Sequence, residues 1–138
     1  MSTVQFVSFV IDSNLCGINI LNVREINSVL DITPVQHAPD YVRGLINLRG
    51  QTVTVCDLGV RLGLEPRTIT SETKNIILKE EDVALLVDSI GDVVEVEEDE
   101  IRPSPANFGD IEREFMDGIV RLESQLLIIL SAKRLIAI

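Results

Sequence analysis

Along most of the chain, apolar positions recur with a period of two, which is the mark of a β-strand. In residues 4–11, Val7, Phe9 and Ile11 fall on one face and Val4, Phe6 and Val10 on the other. A strand apolar on both faces is expected to be covered on both sides. Asp12-Ser13-Asn14 is a turn cluster, and residues 16–20 form a second strand that makes a hairpin with the first. Ile20, Val23 and Ile26 then recur at helical spacing with Arg24 and Glu25 turned away, which predicts a helix over 20–27. Residues 29–35 return to extended structure. Pro39 opens a single turn that runs through Arg43, and Gly44 is placed to end it. Residues 45–48 and 52–56 are strands around the turn Arg49-Gly50-Gln51, where Gly50 is the natural site for a positive φ. A short helix over 58–62 follows, capped by Asp57 and ended by Gly63. Residues 65–73 are polar, contain Pro66 and read as a linker. Strands at 75–78, 83–87 and 92–96, a loop at 103–109, a hairpin of 116–122 with 126–130, and a closing helix at 132–136 complete the pass.

The order of elements repeats. Laying Tyr41 on Phe115 also lays Gly44 on Gly118, Leu48 on Leu122, Gln51 on Gln125, Val53 on Leu127 and Val55 on Ile129. Upstream, Val23-Arg24-Glu25-Ile26 resembles Val93-Val94-Glu95-Val96. Short strands in two similar halves predict an all-β domain of two small five-stranded barrels with short helices. Barrel one is expected over residues 14–70 and barrel two over 71–138, with strand 4–11 between the barrels or paired with the second.

Composition sharpens this picture. The 138 residues suit one domain, and with five aromatics (Phe6, Phe9, Tyr41, Phe108, Phe115) the core must be built from Val, Ile and Leu. A net charge of −10 argues against nucleic acid, whose binding rests on cationic neutralisation of phosphates, and against an anionic membrane surface. Cys16 and Cys56 lie in apolar strands and read as reduced core thiols. Residues 126–130 are the longest aliphatic run, far short of the roughly 20 residues of a membrane span. With no basic, apolar leader at Met1-Ser2-Thr3-Val4, the expected location is the cytoplasm.

No constellation points to catalysis, a metal or a cofactor. His37 is the single histidine and sits in a loop. The acidic run Glu95, Glu97, Glu98, Asp99, Glu100 lacks the glycine-centred spacing of a calcium loop and reads as a solvated strand end. A small cytosolic hydrolase therefore has no feature of its own, and a non-enzymatic protein is expected.

Four ordered blocks resemble the CheW family. They are Gly17-Ile18-Asn19-Ile20-Leu21-Asn22-Val23-Arg24-Glu25-Ile26; Ala38-Pro39-Asp40-Tyr41-Val42-Arg43-Gly44-Leu45-Ile46-Asn47-Leu48-Arg49-Gly50; Asp57-Leu58 with Arg61-Leu62-Gly63-Leu64; and Val87-Asp88-Ser89-Ile90-Gly91-Asp92-Val93. Cys16, Asn19, His37 and Thr54 depart from residues common in that family. The resemblance implies SH3-like barrels and an adaptor that couples chemoreceptor cytoplasmic tips to a CheA-type histidine kinase, recruited to membrane receptor arrays. A coupler for a pilus-motility or other chemosensory-like array is the second reading. The resemblance also implies a receptor-binding groove at Ile20, Val23, Glu25, Arg49 and Val93. Asn47, Leu48, Gly50, Gln51 and Val53 would be the kinase contact, and Glu25 and Arg49 are expected to form a surface salt bridge.

Overall fold

The computed structural model describes residues 2–29, 31–104 and 111–137. Ten strands form among them: β1 (Thr3–Ile11), β2 (Asn14–Asn19), β3 (Val23–Ser28), β4 (Val42–Leu48), β5 (Gln51–Asp57), β6 (Lys74–Leu78), β7 (Val83–Val87), β8 (Ser89–Glu97), β9 (Met116–Arg121) and β10 (Leu126–Leu130). Two short helices, α1 (Leu58–Arg61) and α2 (Ala132–Ile136), follow β5 and β10. The strands divide into two five-stranded sheets, in the orders β3-β6-β7-β5-β4 and β8-β1-β2-β10-β9. We call them barrel one and barrel two.

The strand membership departs from a division of the chain near residue 70. Barrel one takes β6 and β7, and barrel two takes β1 and β2 from the N-terminus. The chain passes between the sheets twice, through residues 20–22 between β2 and β3 and through Asp88 between β7 and β8.

The predicted helix over 20–27 does not form. Ile20–Asn22 is one 3-10 turn, capped by the Asn19 side chain, which accepts from the Leu21 N–H at 2.9 Å, and the chain then enters β3. Three apolar residues at helical spacing also fit an edge strand with a bulge, and β3 has one between Val23 and Glu25. Tertiary pairing with β6 outweighs so short a periodicity. The corresponding residues 93–96 lie in β8, the matching edge strand of barrel two.

Both barrels close in the same way. The segment after β3 returns through a bridge between Thr33 and Leu45 on β4, and the segment after β8 through one between Arg102 and Ile119 on β9. Each bridge passes a glycine. A Cβ on Gly44 would overlap the Thr33 carbonyl oxygen, and one on Gly118 would lie 2.7 Å from that of Arg102. Gly44 is therefore a closure point inside β4, at φ +145°, and not the end of the 39–43 turn. The helix caps repeat as well. The Asp57 N–H donates to the Tyr41 carbonyl at 2.6 Å, and the Ser131 N–H donates to that of Phe115 at 2.9 Å. Asp57 and Ser131 each cap their helix with a side-chain oxygen.

Period-two alternation explains why so many strands are apolar throughout. Ile76, Leu78, Leu85, Val87, Ile128 and Leu130 enter a core shared by both sheets. Their neighbours point the other way, Ile77, Ala84 and Leu86 into barrel one, and Leu127 and Ile129 into barrel two. Each such strand separates a barrel interior from the inter-barrel core, so neither face meets water. Val7, Phe9 and Ile11 of β1 join the shared core, while Phe6 fills barrel two. Full burial of one such side chain contributes about 1.5–3 kcal/mol. The loop read over 103–109 lies outside the described residues from 105 onward.

Candidate functional site

The turn between β4 and β5 has two residues, and both have positive φ, Arg49 at +51° and Gly50 at +85°. This is the type I′ pattern, whose twist matches that of paired strands. Glycine adopts it freely, whereas an arginine there is strained. Asn47 supports the turn, its Oδ1 accepting from the Gly50 N–H at 2.8 Å. From this turn the Arg49 guanidinium donates directly to the Glu25 carboxylate. Arg49 is largely exposed and Glu25 is partly covered. Hydrogen bonds from Arg49 and then Asn27 hold the Glu25 carboxyl below the usual carboxylate range.

A second polar contact runs alongside. Gln51 Nε2 donates to Asp82 Oδ1 at 2.5 Å, and Arg24 approaches the same oxygen at 3.8 Å. The Asp82 carbonyl accepts from the Thr54 N–H at 2.9 Å. Residues of β3, the β4–β5 turn and the β6–β7 turn thus form one ordered polar surface at this end of barrel one. Asp82 carries no distinguishing local signal in the sequence, where it is one aspartate in the acidic turn Glu80-Glu81-Asp82.

The other expected site residues divide by burial. Asn47, Gly50 and Gln51 are exposed at the turn, whereas Leu48 is 6% and Val53 0% exposed, inside barrel one. Alternation puts Ile46, Leu48, Val53 and Val55 on one face of the β4–β5 pair, and barrel one closes over that face. Ile20 and Val23 are half-buried against the inter-barrel core. Val93 is 50% exposed on β8 of the other barrel. Leu21, at 72%, is a large apolar residue that the expected helix concealed. It borders a cleft of about 360 Å³ between the barrels, lined also by Asn22, Leu78, Lys79, Ala132 and Ile136. A roomier cleft, about 650 Å³, lies at Ser28, Ile32, Arg43, Ile69 and Thr73 and includes none of the predicted residues.

Cys16 and Cys56 are free and buried, and burial pushes both thiols up to about 12. His37 lies exposed in its loop at φ +61°. Among the described residues, no helix is long and apolar enough to cross a membrane.

Comparison with known proteins agrees with this architecture. The family model for the CheW-like domain matches residues 5–138. The chain is 33% identical to the probable chemotaxis protein CheW of Rhizobium etli over 133 residues, covering 95% of this chain and 86% of the relative. It is 37% identical to the chemotaxis protein CheW of Rhizobium meliloti over 118 residues, covering 84% of this chain and 76% of the relative. The crystal structure of the scaffolding protein TtCheW from Thermoanaerobacter tengcongensis superposes with a TM-score of 0.89 at 28% identity, covering all of this chain and 90% of that one. Two barrels closed at matching glycines, matched end to end in sequence and in structure, make this chain a member of the CheW-like domain family.

Proposed function

We propose that this chain is a chemotaxis coupling adaptor that holds a CheA-type histidine kinase, through its regulatory domain, to the helical cytoplasmic tips of chemoreceptors. The observation that carries the reading is the end-to-end match to CheW proteins and to a CheW scaffold with the same two barrels. The protein works by presenting surfaces, without turnover, in the cytoplasm and at membrane receptor arrays.

The kinase side uses the β4–β5 turn. Asn47, Gln51 and the backbone of Gly50 make contact, and Leu48 and Val53 support them from within. The receptor side uses Ile20, Val23, Glu25, Arg49 and Val93, with Leu21 as a further apolar anchor. A helical hairpin is read by apolar residues at helical spacing, which half-buried aliphatic residues beside an ordered ion pair can accommodate. An exposed ion pair contributes little to stability. Its value lies in holding the surface in shape, because side chains already ordered cost less to dock.

Reconstituted arrays of receptor fragments, kinase and this protein test the reading. Arg49→Ala is expected to lower kinase activation about tenfold, the scale of reordering long side chains on docking, with an unchanged circular dichroism spectrum. The charge swap Glu25→Arg with Arg49→Glu should recover part of the loss. Full activation by folded Arg49→Ala and Val23→Asp variants defeats the assignment.

A further inference from the structure

Arg67 lies in the segment that reads as a linker, yet its side chain is 3% exposed. Its Nη1 donates to Asp12 Oδ1 at 2.9 Å and to Asp88 Oδ2 at 3.0 Å, and its Nη2 donates to the Glu65 carbonyl at 2.7 Å. Its backbone N–H donates to Asp57 Oδ2 at 2.9 Å, the oxygen that also accepts from Arg43 at 3.0 Å. Asp12 is in the β1–β2 turn of barrel two. Asp57 belongs to barrel one. Asp88 alone makes up the second crossing, from β7 of barrel one to β8 of barrel two. The Asp12 N–H donates to Asp88 Oδ2 at 2.7 Å, which closes the ring of contacts. Gly59 leaves the space, since a Cβ there would overlap Arg67 Nε and stand 2.7 Å from Cζ.

We infer that Arg67 is a positioning residue that sets the angle between the two barrels. The core between them is apolar, and hydrophobic attraction is non-directional, so attraction alone does not choose one packing angle. Arg67 selects one: its backbone N–H ties it to Asp57 of barrel one, and its planar guanidinium ties it to Asp12 of barrel two and to Asp88 at the crossing. Stability is a weak reason for such a cluster, because desolvation offsets much of the Coulomb attraction of buried ions, whereas fixing one geometry is a task suited to it. The use of that angle, to align a kinase surface on barrel one with a receptor groove between the barrels, rests on the function proposed above. The angle itself is measured without any partner.

Amide residual dipolar couplings of the full chain in a stretched gel provide the test. In the native protein both barrels should fit one alignment tensor. In Arg67→Met, each barrel should still fit its own tensor while the common fit fails; the melting temperature should fall, because the Asp57 and Asp88 carboxylates lose a buried cation. Asp12→Asn, which changes one exposed partner and keeps the buried contacts, should move the relative orientation in the same sense but less. If Arg67→Met does not fold, Asp12→Asn decides alone. A common tensor unchanged from the native one, in Arg67→Met or in Asp12→Asn standing alone, overturns the inference whatever the variants do to partner binding.

Discussion

Arg49 and Glu25 form an ion pair across the two open edges of one sheet. Glu25 is on β3 and Arg49 follows β4, the first and last strands of barrel one. They touch because the sheet curls until its edges meet. The depressed Glu25 pKa gives the sign of the pH response. The pair's contribution is present above the ordinary glutamate range and is lost only as pH falls through a lower value. A carbon-detected NMR titration should place the Glu25 midpoint below the unperturbed value of about 4.3. In Arg49→Ala the midpoint should rise toward that value and stop short of it, since Asn27 still donates.

The β4–β5 hairpin should separate surface from core in a single pair of variants. Gln51→Lys faces Asp82 and should fold normally. Val53→Glu drives a charge into the interior of barrel one and should cost about 4 kcal/mol or more. Urea denaturation compares the two, and equal midpoints would mean that Val53 does not face inward.

Closure of barrel one makes Gly44 the more demanding of two positive-φ glycines. Gly44→Ala meets the Thr33 carbonyl and should destabilise by about 3 kcal/mol. Gly50, at φ +85°, has no atom within 4 Å of the place a methyl group would take. It carries conformational cost alone, so Gly50→Ala should lose only about 1–2 kcal/mol. Chemical denaturation ranks them, and the reverse order contradicts the closure geometry.

The thiols should be slow to react. Burial pushes both thiols up to about 12, so little thiolate forms at pH 8, and both sulfurs are also shielded. A colorimetric thiol reagent should find almost no cysteine in the native protein and two in urea. Rapid labelling of the native protein would show that the shared core opens far more readily than its packing implies.

Much of the fold was legible in local pattern, because period-two alternation and turn residues report short-range constraints. The β1 strand covered on both faces, the Asp57 cap, the Arg49-Gly50 turn and the Gly44–Gly118 correspondence all belong to this class. The partnership of Glu25 with Arg49 was carried by family resemblance, since nothing nearby in sequence links them. Three features needed the tertiary structure. Residues 23–28 are a strand because β6 supplies a partner that a local helix lacks. Val53 and Leu48 point inward because the sheet curls toward that face. Arg67 is buried because the β1–β2 turn and the β7–β8 crossing bring Asp12 and Asp88 to a segment distant in sequence. Alternation tells which residues leave water together, but pairing between remote strands decides which of them meet, and that choice is made only when the whole chain packs.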